Sequence, residues 1–427
     1  MSRIEELYSL YQKHPSVQTD TRKLGEGDLF FALKGPNFNG NAFVKQALAA
    51  GAAICVIDEA EYTVEGKTFL VNDVLEALQQ LALEHRKRFN IPFIAITGSN
   101  GKTTTKELIH AVLAAHYRTY TTEGNLNNHI GVPLTILKIR NDAEFAIVEM
   151  GANHQKEIAS YCRYALPTHG LITNCGKAHL EGFGGVEGVR KGKGELFDHL
   201  RAAGGSAFVM WDYDYLRQMS AGIVERITYG THNADYTGEA VASDPFLSVH
   251  FTKGFEGRID TQLVGGYNLP NVLAAVAIGR HFGVPNEKIR TALEGYAPSN
   301  SRSQLVQKGS NSIILDAYNA NPSSMKLAIE NFARAAGDAK VLVLGAMAEL
   351  GAESLDEHRA IIEVIAAKQW KAVLLVGGDF QKIDHPFHRF ATAADAGQWL
   401  RGQAPEHTSF LIKGSRSTCM EQVLDYL

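Results

Sequence analysis

Apolar and polar positions along the chain follow two periods, and the changes between them lay out an expected architecture. Over residues 1–90, short apolar runs (GDLFFAL, AAICVID, KTFLV) separate segments with helical spacing (AFVKQALAAG, VLEALQQLALEHRKRF), which predicts a small α/β unit. From Phe93 onward the runs FIAIT, PLTILKI, FAIVEMG, THGLITN and SAFVMW are expected strands, with helical stretches such as KELIHAVLAAH and GELFDHLRAAG between them. That alternation predicts a mainly parallel sheet covered by helices. Residues 227–265 change to short alternating segments (ITYG, LSVHFT, RIDTQLVG), expected as an antiparallel insertion, and a helix over NLPNVLAAVAIGRHFG follows. Beyond Pro298, SIILDAY, KVLVLGAM, KAVLLVGG and TSFLIKG read as strands of a second doubly wound, Rossmann-like unit. The expected fold class is α/β in three domains, at residues 1–90, 91–299 and 300–427.

Composition narrows the class without identifying it. The 427 residues are 45% apolar and 21% charged, enough for several separate cores. Net charge is −4 and the basic residues are scattered, so no basic face suits nucleic acid. The start, MSRIEELYSLYQKH, has no apolar targeting core, and no run approaches the roughly 18 apolar residues of a membrane span. A cytoplasmic, monomeric protein without membrane insertion is expected. Cys55, Cys162, Cys175 and Cys419 are widely separated and give neither a zinc pair nor a disulfide framework.

Candidate chemistry concentrates in IAITGSNGKTTT, where an apolar run stops at a G-x-x-G-K-T turn and a helical segment begins. Gly98, Ser99, Asn100, Gly101, Lys102, Thr103 and Thr104 form an expected phosphate cradle, its backbone N–H groups facing phosphate oxygens. Lys102 would meet the outer phosphates and Thr103 a magnesium ion. The longer P-loop pattern has another glycine five residues before Gly101, where this chain has Ile96. Glu149 ends FAIVEMG at the carboxyl end of a strand, a position for holding magnesium or for a solvated side chain. The glycine-rich segment TNCGKAHLEGFGGVEGVRKGKGELF reads as a site loop re-entering a helix. Within it His179 is a metal ligand or a satisfied surface histidine, and Lys193 is by default solvated.

SNGKTTT, VEMG, AHLEGFGG with KGELF, NLPN, DAYNANPSSM, LGAMAELG and LIKGSRS resemble, in order and spacing, the Mur ligases of peptidoglycan synthesis. The resemblance covers nearly the whole chain. It is to the branch that joins D-Ala-D-Ala to a UDP-N-acetylmuramoyl tripeptide; the D-N-P-R motif of the diaminopimelate-adding branch is absent. It implies an N-terminal UDP-sugar binder, a central ATPase and a C-terminal domain that brings the amine. Its implied cofactors are ATP and two Mg2+ ions. ATP phosphorylates the substrate carboxylate, and the amine attacks the acyl phosphate to give amide, ADP and phosphate. Such a ligase serves cell-wall biogenesis, and with it cell shape and division.

The same resemblance assigns residues. Lys102, Glu149, His179 and Lys193 are implied catalytic groups, with Thr103, Glu149, His179 and a carbamylated Lys193 around the metal ions. Asn268 and Asn271 match the adenine side of the pocket, with helix capping as their other reading. Arg302, Asp316, Tyr318, Asn319 and Asn321 match hinge and ribose-phosphate contacts, Asn319 on the substrate side. Thr19, Asp20, Thr21 and Arg22 fall in the UDP-binding segment, and Asn127 and Asn128 in the substrate loop or in an ordinary turn. Lys413, Ser415 and Arg416 are candidates for acyl phosphate or the dipeptide carboxylate, or form an exposed basic turn. Three positions depart from the usual family pattern: Asn41 and Tyr267 stand where histidine is common, and Ala346 where aspartate is.

Two other readings remain open. One is another ligase of the superfamily, such as a folylpolyglutamate synthase, disfavoured by the UDP-binder-like segment ahead of the ATPase region. The other is a nucleotide-gated P-loop protein without ligase activity; the N-K-x-D motif of GTPase switches is missing.

Overall fold

The computed structural model describes residues 2–299, 301–337 and 339–427, and the counts below refer to these. The domain boundary expected at 299/300 falls at Asn300, outside them.

The chain opens with a helix that the hydrophobic reading above leaves out, Arg3–Lys13, started by a capping box between Ser2 and Glu5. Val17–Gln18, Leu29–Phe31, Ile54–Ile57 and Thr68–Leu70 then form a four-stranded parallel sheet. Helix Val74–Arg86 follows and leads to the second sheet. The expected strands GDLFFAL, AAICVID and KTFLV lie in this unit.

The second sheet has nine strands. In spatial order Thr119–Thr121, Phe145–Glu149, Phe93–Thr97, His169–Ile172, Ser206–Met210, Glu225–Gly230 and Tyr236–Ser243 run parallel. Phe246–Lys253 and Gly257–Val264 continue it antiparallel. Phe93–Thr97 and Phe145–Glu149 are buried throughout, as parallel strands covered on both faces must be.

Three expectations need correction. PLTILKI lies largely in a helix, Gly131–Leu137, and the edge strand is Thr119–Thr121. A short apolar run carries no period that separates strand from buried helix. Pro133 fits the first helical turn, and Asn128 Oδ1 accepts from the amides of Ile130 and Gly131 at its start. ITYG belongs to a strand parallel to Ser206–Met210, so the antiparallel pairings are confined to Phe246–Lys253 and its two neighbours. Finally, much of the glycine-rich segment is helical: helix Val186–Ala203 begins well before Lys193 and lies tightly against Phe183, whose ring a Cβ on Gly192 would meet at 2.4 Å.

The third sheet has six strands, with Gln304–Lys308 antiparallel at one edge. Asn311–Asp316, Ser409–Lys413, Lys340–Gly345, Ala372–Val376 and His388–Phe390 follow in parallel order. The three-part α/β class with a mainly parallel central sheet is the fold observed.

Candidate active site

The carboxyl ends of the central strands face the C-terminal domain across a cleft of about 730 Å³. At its floor, Phe93–Thr97 runs into Gly98 and helix Lys102–Ala114 begins at Lys102. Gly98 has φ +144° and a Cβ there would sit 2.0 Å from Thr173 Oγ1; Gly101 has φ +79° and a Cβ would sit 2.8 Å from Asn271 Oδ1. Both positions therefore require glycine. The loop is pinned from the neighbouring strand end: Ser99 N donates to Asn174 O at 2.9 Å, Asn100 N to Asn174 Oδ1 at 3.1 Å, and Thr173 Oγ1 to Asn100 O at 2.6 Å. Lys102 Nζ folds back onto Gly98 O at 2.8 Å, and burial holds its ammonium below the ordinary lysine range. Asn174 escaped the sequence reading, although it lies two residues past the end of strand His169–Ile172, beside the cradle.

Glu149 is 1% exposed. Its Oε1 accepts from Thr103 Oγ1 at 3.1 Å and from Asn127 Nδ2 at 2.8 Å, while Oε2 is buried without a hydrogen-bond partner. An orphaned carboxylate oxygen beside a threonine hydroxyl at a phosphate cradle suits a hard divalent cation. The other two metal candidates are engaged with other partners. Lys193, also 1% exposed, lies behind the cleft wall and donates to Ala152 O at 3.0 Å. Burial, reinforced by Lys102, pushes its pKa down to about 7. His179, in the left-handed region at φ 53°, places Nδ1 2.5 Å from Glu349 Oε2 of the C-terminal domain, which lowers the Glu349 pKa. Among the described residues no three His, Cys, Asp or Glu side chains converge as a ready metal cage.

The opposite wall joins two domains. Thr105 Oγ1 donates to Asn271 Oδ1 at 3.0 Å, Asn271 Nδ2 to Asn268 Oδ1 at 2.8 Å, and Asn268 Nδ2 to Val264 O at 2.9 Å. Neither asparagine is therefore occupied as a side-chain cap of helix Leu269–His281. Tyr267 Oη bonds Ser303 Oγ at 2.8 Å, and burial with the nearby Asp316 raises its pKa, so the phenol stays protonated. Asp316 accepts from Lys413 Nζ at 2.5 Å and from Ser303 N at 3.2 Å. The Arg302 guanidinium lies 3.7 Å from the Tyr318 ring centre. Asn321 caps helix Pro322–Arg334 and also donates from Nδ2 to Asn100 Oδ1 at 2.7 Å, directly on the phosphate loop. Asn319 Oδ1 accepts from Ala320 N at 2.9 Å; Tyr267, Asn268, Asn271, Arg302, Ser303, Asp316, Tyr318, Asn319, Asn321 and Lys413 line the cleft.

Other expected site residues lie elsewhere. Ser415 does not line the cleft but donates to Ala346 O at 2.7 Å, and Arg416 pairs with Glu421 at 2.9 Å on the surface. Thr19, Asp20, Thr21 and Arg22 are likewise outside it, with Arg22 paired to Asp20 at 2.8 Å. Asn41 is fully buried and donates to Asp58 Oδ1 at 2.7 Å while accepting from Asp58 N at 3.1 Å, which accounts for an amide at that position. Asn128 lines the cleft while starting helix Gly131–Leu137. Tyr213 and Tyr215, stacked at 5.5 Å, form a cleft wall that sequence reasoning missed. Their run, WDYDYL, carries no spacing that sets it apart from core aromatics.

A phosphate cradle, a buried carboxylate with one free oxygen, a buried amine near neutrality and a second Rossmann-like domain on the cradle define a nucleotide-dependent P-loop enzyme of several domains. Three family descriptions match the chain in order: Mur ligase family, catalytic domain, over residues 15–87; Mur ligase middle domain, over 96–279; and Mur ligase, glutamate ligase domain, over 301–416. UDP-N-acetylmuramoyl-tripeptide--D-alanyl-D-alanine ligase of Bacillus subtilis is 37% identical, covering 96% of this chain and 92% of its own length. The Escherichia coli ligase of the same name is 35% identical with the same coverage. Among solved structures, MurF from Acinetobacter baumannii superposes with TM-score 0.87 at 30% identity over 97% of each chain. MurF ligase from Thermotoga maritima in complex with ADP gives TM-score 0.85 at 27% identity over 96% of each. The chain belongs to the Mur ligase family and is an ATP-dependent ligase that forms a C–N bond.

Proposed function

We propose that this chain adds D-alanyl-D-alanine to UDP-N-acetylmuramoyl-tripeptide with ATP, yielding the pentapeptide, ADP and phosphate. The observation that carries this reading is one cleft that gathers the phosphate loop, Glu149, the Asn127–Asn128 loop and the Asp316–Lys413 pair. Relatives that share 37% and 35% of its residues bear that activity as their name. A folylpolyglutamate synthase from Mycobacterium tuberculosis, at 14% identity and TM-score 0.62, shares the fold alone.

A carboxylate resists attack by an amine because oxide is a poor leaving group; phosphorylation supplies a good one. The transfer itself asks for alignment and charge neutralisation more than covalent help. In this reading Lys102 leaves Gly98 O to meet the outer phosphates of ATP. Thr103 and Glu149 Oε2 would hold one magnesium ion, with His179 and a carbamylated Lys193 toward a second, and such ions would supply neutralisation of phosphate and carboxylate charge. Carbamylation joins the neutral Lys193 amine to CO2 with release of one proton, and a pKa near 7 supplies that neutral amine. Asn268 and Asn271 face adenine, while Arg302, Asp316, Tyr318 and Asn321 bring ribose and phosphate contacts from the C-terminal side. Asn127, Asn128 and Asn319 orient the acceptor peptide, and Lys413 meets the acyl phosphate. Outside the cleft, Thr19–Arg22 serve the UDP end; Ser415 and Arg416 serve the dipeptide. Residues 1–90, 91–299 and 300–427 are the functional domains of this scheme, in a monomer working in the cytoplasm. Among the described residues no helix is long and apolar enough to cross a membrane.

Mass spectrometry of the product from UDP-muramoyl tripeptides, D-Ala-D-Ala and ATP tests the proposal. Phosphate release is expected only with both substrates present; equal release with free amino acids, or ADP without amide, sinks it.

A further inference from the structure

We infer that Lys106 is a positioning residue for the loop that receives the muramoyl tripeptide, acting through its bond to the Thr122 carbonyl. This rests on the ligase reading above. Lys106 stands three residues after Thr103 on helix Lys102–Ala114, so the two share a face. It is 3% exposed, and its Nζ donates to Thr122 O at 2.7 Å. A buried ammonium is unfavourable unless bonded and countered by charge, so this is no ordinary solvated lysine. Its counter-charge is Glu107 Oε1 at 3.9 Å. Glu107 Oε2 in turn accepts from the Tyr296 hydroxyl, at the end of helix Asn286–Gly295, and burial keeps that phenol protonated.

Thr122 is fully buried and serves two partners besides Lys106. Its Oγ1 accepts from Glu149 N at 3.0 Å, and its own N donates to Ile147 O at 3.1 Å. Immediately beyond it the chain turns through Gly124 (φ 53°) into Asn125–Asn128. Asn127 closes the loop back on the same strand end, donating to Glu149 Oε1 at 2.8 Å and accepting from Gly151 N at 2.7 Å. Two residues on one helix face thus fix both ends of the arrangement: Thr103 holds Glu149 directly, and Lys106 holds the entry of the loop. The helix that starts at the phosphate cradle is thereby tied to the acceptor loop by a bond that leaves the cradle's own contacts untouched.

Calorimetric titration of the full chain with UDP-muramoyl tripeptide and, separately, with ADP tests this. Lys106→Met is expected to raise the UDP-tripeptide Kd about tenfold, the scale of one lost charged hydrogen bond, and to leave the ADP Kd within about twofold. Lys106→Arg, which keeps a donor, should recover part of the loss. Lys106→Met combined with Thr122→Val should fall short of the product of the single effects, because both act on one strand exit. Should Lys106→Met fail to fold, Lys106→Arg and Glu107→Gln carry the test through the same selective shift at smaller size. An unchanged UDP-tripeptide Kd, an equal loss of both ligands or strict multiplicativity overturns the inference. Wild-type protein that does not bind UDP-tripeptide overturns the ligase reading and this inference together, whereas wild-type binding with indifferent variants overturns this inference alone.

Discussion

The two seams of the central domain carry different polar bonds. One buried apolar cluster runs through both seams, from Leu7, Leu78 and Leu81 through Phe93, Ile136 and Phe183 to Phe332 and Leu350, so the difference lies in the polar bonds. Toward the N-terminal domain, the buried Arg86 donates to Ala165 O at 2.9 Å, Phe89 O at 2.8 Å and Leu166 O at 2.9 Å, and Tyr11 Oη donates to Leu137 O at 2.5 Å. Toward the C-terminal domain, Lys177 pairs with Glu357, His179 with Glu349, and Lys177 N donates to Ser323 Oγ at 3.1 Å. The Lys177 and Glu349 side chains are 48% and 49% exposed. Polar bonds at a wet interface are worth little each, and such interfaces are where domains move. Over a shared apolar cluster, the first, holding seam is bonded by a buried guanidinium and the second, parting seam by half-exposed ion pairs; the cleft lies on the second.

If the fixed wall carries the chemistry, the largest effect comes from Lys193, which belongs to neither seam. Lys193→Ala should abolish amide formation, with partial rescue by short carboxylates; removing a buried amine offsets part of the cost of the cavity and the stranded Ala152 carbonyl, so the unfolding midpoint should fall less than in Arg86→Met. Near-normal turnover would remove the carbamate from the scheme.

The holding seam is broken at Arg86. Arg86→Met takes donors from the buried Ala165 carbonyl and the half-buried Phe89 and Leu166 carbonyls and removes a guanidinium 3.6 Å above the Phe93 ring. At about 1–3 kcal/mol for the stranded Ala165 carbonyl and less for the two half-buried ones, a loss of about 2–3 kcal/mol in denaturant unfolding is expected, with turnover per folded molecule unchanged. A variant as stable as wild type would erase the difference between the seams.

How far this difference could be read from sequence depends on where it is encoded. The cradle was legible because both faces of Phe93–Thr97 are covered and the turn demands Gly98 and Gly101, so pattern and geometry agree. The place of Glu149 followed from strand ends facing ligands. The first helix had a signal, Ser2 with Glu5, that a search for apolar runs passes over. PLTILKI was misread because its burial against helix Val74–Arg86 is set by a distant segment. Lys193 gave no sign of burial, since K-G-K-G reads as solvated until helix Val186–Ala203 is seen packed on Phe183. The Asn174–Asn100 and Arg86–Ala165 bonds each join residues more than 70 positions apart, and no local pattern carries such a pairing.

A pH series sharpens the account of the fixed wall. The Lys193 pKa is depressed to about 7 from 10.5, so the folded chain presents a neutral amine above pH 7 and an ammonium below it. Between pH 7 and 10.5 the unfolded chain binds a proton that the folded chain does not, so this group makes stability rise with pH there. Below pH 7 the unfavourable charged form is fully present in the fold, and available amine falls about tenfold per pH unit. Metal-free protein equilibrated with 13C-labelled CO2 should show a carbamate NMR signal that fades as pH drops through 7 and is absent in Lys193→Ala. A signal indifferent to pH would contradict the depressed pKa.

The smallest effect belongs to the parting seam, and its smallness is the point. Lys177 and Glu357 are in direct contact, but the Lys177 side chain is 48% exposed against 10% for Glu357, so screening and side-chain entropy leave the pair about 0–1 kcal/mol. Lys177→Ala should therefore leave the unfolding midpoint where it is. Because the pair forms only when the C-terminal domain lies against the cradle, whatever it contributes goes to closure. The expected outcome is a rise of about twofold to fivefold in the KM for D-Ala-D-Ala, with ADP affinity scarcely changed, and a wild-type KM that climbs with salt more steeply than the variant's. Glu357→Ala should match it, and the double variant should be no worse than either single one. A drop in stability as large as that of Arg86→Met would mean that this seam, too, is built to hold.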